Sequence, residues 1–305
     1  MKQFYFLFVL LIFVPSFSAC QAQTASQIAV APELQNTTNS NSSVEEPKQI
    51  DSIFVGKDSL TYNGYDVVKL KKKVKLEHPP EMKSKPELVE VSYAVLKKKN
   101  KVLDTFDGVY FGAGNATDFG LFPFLNKETK QLAVSQTIPR GGRHWVVDLS
   151  SEARVIFDSK DYSVGREEFN VIDIDKDGIY EISLPLTEFY MFENMSMSET
   201  PLPIIIFKYN EKARKYLPAN RIFQNYLLTG IEDEVEKLNS NGESNYLSDR
   251  LDIVLRYVYA GKEEEAWTFF DKQYKLPNKE EIKSKIKTNL KNETVYKNIY
   301  ENRVP

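Results

Sequence analysis

An alternating acidic stretch just past the middle of the chain constrains the fold more than any other feature. Asp173, Asp175 and Asp177 are separated by single residues, Gly178 follows the third of them, and Glu181 closes the set. Carboxylates at positions one, three and five of such a loop point toward one centre, and the backbone carbonyl at position seven and an oxygen at position nine add to them. A glycine at position six permits the sharp turn. The pattern predicts a Ca²⁺-binding loop.

Two other structures carry similar acidic stretches. An EF-hand needs an acidic residue at position twelve and a following helix, but Leu184 stands there and Pro185 follows, which predicts an exiting strand. A surface acidic turn without metal remains an alternative. No arginine interleaves with the three aspartates, so their mutual repulsion favours a bound metal.

Strand pairs precede and follow the loop at intervals of about 50 to 60 residues. β-branched and aromatic residues flank polar turns, which predicts hairpins. The predicted pairs are 89–96 with 102–106, 145–149 with 153–157, and 204–209 with 215–217. The segment 65–76 alternates apolar residues with lysines, so we expect Val68, Leu70 and Val74 on a buried face and the lysines in solvent.

The acidic loop has a second copy that lacks the three aspartates and the glycine. Residues 119–134 align without gaps on 169–184, and the phenylalanine and the apolar strand positions coincide. Pro123, Leu125 and Lys127 stand where the aspartates are. The chain therefore contains a repeated strand–loop–strand unit.

The pattern Phe-x-Val-x-Asp-x-Asp-x-Asp-Gly-x-x-Glu-Ile resembles the FG-GAP/VCBS repeats of integrin-type β-propellers. In that family a blade of four strands often carries one calcium loop. The resemblance implies a calcium held by Asp173, Asp175, Asp177, the Ile179 carbonyl and Glu181, remote from catalysis.

We therefore expect a mainly β fold of partial or small propeller-like repeats over 51–222, followed by an α-helical segment over 223–305. Some 170 residues make three or four blades, at or below the smallest closed propellers. Predicted helices cover 231–238, 249–260 and 263–274, and a further one opens after Asn278. Ser248 is the predicted N-cap of the second, and Asn278 begins a capping box. We expect these helices to pack on the β domain.

The N-terminus predicts export. Residues 1–19 read as a signal peptide with an apolar core too short to span a bilayer. Cys20 is the only cysteine, and the small residues before it resemble a bacterial lipoprotein box, which implies lipidation of Cys20 and anchoring to the cell envelope. Residues 20–50 are polar and predict a disordered tether. Cleavage after Ala22 is the alternative and would leave a secreted or periplasmic soluble protein.

The composition of the chain limits the classes of molecule that it is expected to bind. A net charge of −3 with no basic–aromatic signature argues against nucleic acid. The cluster Arg140, Arg143, His144 and Trp145 is the second candidate site, since two guanidiniums and an indole could hold a carboxylate, a phosphate or a sugar acid. The alternative is a hairpin with solvated arginines.

These sequence features support two hypotheses about the function. The favoured one is a non-enzymatic, calcium-braced lipoprotein with a structural or ligand-binding role, whose partner is an envelope protein or a glycan. The alternative is an exported hydrolase of glycans or phosphate esters acting near Arg140, Arg143 and His144. The chain carries no nucleophile elbow, metal-ligand histidine pair or phosphate-binding glycine loop.

Overall fold

In the part of the chain that this computed structural model describes, twelve β-strands form three sheets and the α-helices follow them. The structure describes residues 58–76, 87–108, 115–138, 141–165, 169–238 and 246–301. The predicted signal peptide, Cys20 and tether lie outside these residues. The prediction of a mainly β fold followed by a helical segment is confirmed.

The first sheet is an antiparallel meander in chain order. Its strands are β1 (Ser59–Tyr62), β2 (Tyr65–Leu76), β3 (Glu87–Lys98) and β4 (Lys101–Phe106). Asn63 and Gly64 join β1 to β2 with φ of 53° and 73°, the left-handed pair that a two-residue hairpin turn of type I′ requires.

The core face of β2 differs in part from the prediction. Tyr65 and Val67 are buried, whereas Val68 is half-buried. Lys69 follows on the same face as Val67, and its Nζ lies 3.1 Å from an Asp118 carboxylate oxygen in the next sheet. The prediction that this lysine lies in solvent was wrong, because an ion pair between sheets holds its charge.

The second and third sheets repeat the same antiparallel order. The strands are β5 (Ala116–Phe122), β6 (Gln131–Ile138), β7 (Gly141–Asp148) and β8 (Arg154–Asp158), then β9 (Asn170–Ile172), β10 (Glu181–Pro185), β11 (Ile204–Asn210) and β12 (Lys215–Pro218). Three successive four-stranded meanders have the connectivity of propeller blades.

Side chains from neighbouring sheets interlock. The first and second sheets share one apolar cluster, in which the rings of Phe106 and Trp145 lie 5.5 Å apart. A polar seam runs beside it, where the Thr117 hydroxyl and the Gln136 amide both donate to the Ser92 carbonyl at 2.9 Å. These buried donors specify the register between the two sheets, since each would cost free energy if left unpaired.

The second and third sheets share a larger cluster with the helices. The rings of Phe157 in β8 and Phe207 in β11 lie 5.0 Å apart in it. Leu251, Val254 and Val258 enter the same cluster from the helical segment. The expectation that the helices pack on the β domain is confirmed.

The helices are α1 (Gln224–Leu227), α2 (Ile231–Leu238), α3 (Tyr246–Tyr259), α4 (Glu263–Gln273), α5 (Lys279–Asn292) and α6 (Thr294–Tyr300). The predicted cap at Ser248 was wrong, because its side chain donates to the Glu199 carbonyl from within α3. Asn278 is the N-cap residue of α5, as predicted, but its side chain accepts from the Tyr274 hydroxyl and makes no capping hydrogen bond. No helix in the described ranges is long and apolar enough to cross a membrane.

Candidate metal centre

The acidic loop connects β9 to β10, the first two strands of the third sheet. Two hydrogen bonds within it set its shape. Asp173 Oδ2 accepts from the Gly178 amide at 2.9 Å, and Asp177 Oδ1 accepts from the Ile179 amide at 2.7 Å. Gly178 has φ of +78°, so the sequence places glycine where the backbone must turn left-handed.

These turns bring the three aspartates together. Asp173, Asp175 and Asp177 each offer a carboxylate oxygen, and the three oxygens lie within 4.8 Å of one another. Asp173 Oδ1 is buried and has no hydrogen-bond partner. A buried carboxylate oxygen without a partner costs free energy, and a cation would satisfy it. The donor set therefore fits a hard cation such as Ca²⁺, which prefers oxygen ligands. Ligation by the Ile179 carbonyl stays a prediction.

Glu181 lies beside this cluster and is fully buried. Its Oε2 accepts from the Ile174 amide at 3.1 Å, so the side chain also holds the start of the loop. Burial raises the pKa of the Glu181 carboxyl above its ordinary value, and hydrogen bonds from Lys208 and Ile174 oppose part of that rise.

Lys208 in β11 supplies a positive charge that the sequence analysis missed. Its Nζ lies 2.6 Å from Glu181 Oε1, 2.9 Å from Asp175 Oδ2 and 3.5 Å from Asp177 Oδ2. Burial lowers the pKa of Lys208, but its bonds to Glu181 and Asp175 outweigh this, so the net shift is upward. The ammonium therefore partly neutralises the negative charge of the loop. Repulsion among the three aspartates is thus weaker support for a bound metal than the sequence alone indicated.

A signal for Lys208 was present in the sequence. Lys208 is a lone charged residue after the apolar run 204–207. Because β10 pairs antiparallel with β11, with Ile182 opposite Phe207, the next pair outward is Glu181 and Lys208. Recognising the lysine required this register as well as the strands.

The second copy of the unit lies directly beside the acidic loop. The Tyr180 amide donates to the Pro123 carbonyl at 3.0 Å, and a Cβ added to Gly178 would lie 2.9 Å from Lys127 Cε. Tyr216 lies between the two loops, with its hydroxyl 2.8 Å from the Phe124 carbonyl and 2.9 Å from the Tyr180 carbonyl. The acidic loop is thus supported by its own repeat.

The second candidate site does not form one surface. Arg143 makes a two-bond ion pair with Asp158, at 3.1 and 2.8 Å. His144 is fully buried and stacks on Phe169, with ring centroids 4.7 Å apart. Arg143 and Trp145 lie on the opposite face of β7 from His144, with the guanidinium carbon 4.8 Å from the centroid of the indole ring, and Trp145 enters the cluster of the first two sheets. Successive side chains of a strand face opposite ways, which explains the separation.

Arg140 lies outside the described residues. Three cavities in the described part of the chain have volumes of about 350, 410 and 420 Å³, and their linings include neither Arg143 nor His144. Ligand binding by Arg140, Arg143, His144 and Trp145 stays a prediction without a shared cavity to support it.

Comparison with family models, with curated proteins and with solved structures finds no match for this chain.

Proposed function

We propose that this protein is an exported, calcium-binding β-repeat protein, anchored to the cell envelope by a lipid on Cys20, with a structural or ligand-binding role there. The blade-like sheets and the acidic loop support the repeat and the metal. The lipoprotein-like residues before Cys20 support the anchor. An envelope protein or a glycan is the proposed partner.

One observation gives the main support for the proposed Ca²⁺ site. Three carboxylates from one loop converge within 4.8 Å, and the buried Oδ1 of Asp173 has no hydrogen-bond partner. The Asp175 and Asp177 side chains are 39% and 41% exposed, so a cation can reach them from solvent. Asp173, Asp175 and Asp177 would hold Ca²⁺, with Glu181 and the Ile179 carbonyl as the remaining proposed ligands.

A bound Ca²⁺ would supply positive charge and no chemistry on a substrate. The protein's own residues place the site at the junction of β9 and β10, next to the loop of the second sheet. The proposed role is therefore to brace the third sheet against the second. No described cavity favours the hydrolase alternative over this structural role.

Calorimetric titration of CaCl₂ into the purified protein tests the proposal. We expect one calcium per chain. Asp175→Ala should abolish the binding heat or weaken it at least about tenfold, because one coordinating charge is lost. The control is Lys176→Asn in the same loop, since Lys176 has φ of 58° and asparagine tolerates that backbone. Its affinity should stay within about threefold of wild type. Absence of binding, or binding that Asp175→Ala leaves unchanged, would contradict the assignment.

A further inference from the structure

Lys208 already contacts most of the acidic groups that would bind the metal. Its ammonium lies within 3.5 Å of oxygens from Asp175, Asp177 and Glu181. An ammonium group carries three donors, and here three carboxylates surround it. Asp173 is the one acid of the loop outside this arrangement, and its Oδ1 has no partner. Lys208 therefore covers part of the proposed ligand set and leaves part of it unsatisfied.

A calcium ion and this ammonium cannot share the same oxygens. Both are cations, and their repulsion at such short range is strong in a partly buried site. Glu181 is fully buried, so solvent screens little of that repulsion. Binding by Asp175, Asp177 and Glu181 together would therefore require the lysine head group to leave.

The surroundings of Lys208 permit that movement. The side chain is 25% exposed, and it borders an open cavity of about 350 Å³ on the side of β12 and α6. A lysine stem has several rotatable bonds, so the head group can swing toward this cavity while its backbone stays paired in β11.

We propose that Lys208 is an affinity-determining residue that competes with calcium for the loop carboxylates. The lysine neutralises the loop when calcium is absent, which keeps the third sheet folded, and it raises the calcium concentration needed for binding. This inference rests on the proposed calcium function. It means that one residue of the neighbouring strand sets the calcium affinity of the loop.

The test is Lys208→Met, which keeps the length and the apolar stem but removes the charge. The matched control is Lys212→Met, since Lys212 is an exposed lysine in the turn after β11 and makes the same change in net charge. We expect Lys208→Met to bind calcium at least about tenfold more tightly than wild type, and Lys212→Met to stay within about twofold. In chelator, Lys208→Met should melt below both wild type and the control, and saturating calcium should close that gap.

The outcomes separate the two proposals. If wild type binds calcium and Lys208→Met binds it no more tightly, the calcium function stands and the competition is overturned. If only Lys208→Met binds, the lysine has taken the place of the metal, which supports competition and contradicts calcium binding by the natural chain. If neither binds, both proposals fail. Lys208→Gln, with a neutral polar head, is the second variant if Lys208→Met does not fold, and the same tightening is expected of it.

Discussion

Gln131 and Glu181 occupy the same position in successive sheets and make the same hydrogen bond. Each is the first residue of the second strand of its sheet, and each is fully buried. Gln131 Oε1 accepts from the Phe124 amide at 2.8 Å, and Glu181 Oε2 accepts from the Ile174 amide at 3.1 Å. Both bonds span seven residues, and the two units are fifty residues apart in the chain. The repeat thus extends to a buried polar contact.

The two loops differ in charge while sharing this contact. An amide at Gln131 needs no counter-charge, whereas the carboxylate at Glu181 faces Lys208. The acidic copy is therefore the same scaffold with charged groups added, and these added groups are what the metal proposal explains.

Removing the Gln131 side chain should destabilise the protein. Its Oε1 accepts from the amides of Phe124 and Leu125, and the Phe124 amide also donates to the Phe122 carbonyl at 3.0 Å, so Gln131→Ala leaves the Leu125 amide unpaired. We expect a loss of about 1 to 3 kcal/mol in the free energy of unfolding. Urea denaturation measures it, and the neighbouring exposed Lys130→Ala, expected within about 0.5 kcal/mol of wild type, is the control. Equal effects of the two variants would contradict the prediction.

The Tyr216 hydroxyl should stabilise the contact between the two loops. It lies within hydrogen-bond distance of the Phe124 and Tyr180 carbonyls, so Tyr216→Phe leaves carbonyl groups without their donor. The expected cost is about 1 to 2 kcal/mol in the free energy of unfolding. Tyr209 pairs with Tyr216 across the hairpin of β11 and β12, and Tyr209→Phe serves as the control at the same sheet position. A control that costs as much as Tyr216→Phe would show that the bridging hydroxyl is not responsible.

Glu293 should make stability fall as pH rises. This N-cap of α6 is 2% exposed, and burial raises the pKa of its carboxyl above the ordinary 4.5, although the Val295 and Tyr296 amides oppose the rise. A raised folded-state pKa means that the folded state binds the proton more readily than the unfolded chain does. The resulting contribution to stability is complete below pH 4.5 and is lost as pH rises through the raised pKa.

Urea denaturation of wild type and Glu293→Gln at several pH values from about 3 to about 7.5 checks this sign. The stability of wild type relative to Glu293→Gln should decrease as pH rises. Glu199 gives the opposite control, because hydrogen bonds from Ser196 lower the pKa of its carboxyl. The stability of wild type relative to Glu199→Gln should increase as pH rises toward 4.5 and stay constant above it. Parallel pH profiles for all three proteins would refute the assignment.

Cys20→Ser should release the protein from membranes. Lipid attached to a cysteine anchors a chain by burying acyl groups, and serine offers no thiol for that attachment. Fractionation of cells that produce each form measures the membrane-bound share, which we expect to fall from nearly all to a small minority. Thr24→Ser, four residues further along the proposed tether, is the control. A Cys20→Ser protein that stays with the membranes would rule out the lipid anchor.

Local sequence patterns predicted the strands and the hairpins well. The helix 231–238 was predicted with the bounds of α2, and the turn of the first predicted hairpin lies at 99–100, between the predicted strands 89–96 and 102–106. The repeat unit could be found because its apolar positions face the same kind of core in both copies. The cap at Ser248 was predicted wrongly, and Asn278 makes no capping bond at the N-cap of α5, because both side chains find hydrogen-bond partners that local capping rules do not describe.

The ion pairs of Lys208 and Lys69 could not be predicted in this way, because they depend on contacts between segments that are distant in the sequence. Lys208 follows Glu181 by a strand and a long connection, so only the pairing of β10 with β11 reveals their ion pair. In the same way, Lys69 looked solvent-exposed until the second sheet placed Asp118 beside it. Sequence alternation gives the face of a strand but does not show which charge lies opposite.

Thermal unfolding in calcium and in a chelator shows whether a bound metal stabilises the folded protein. A ligand that binds only the folded state stabilises it by about 2.7 kcal/mol at a hundred times its dissociation constant. For a folded region of this size we expect the melting temperature to rise by about 5 to 10 °C. We expect this rise for wild type in calcium and its loss in Asp175→Ala. Identical melting curves of wild type in saturating calcium and in chelator would contradict it.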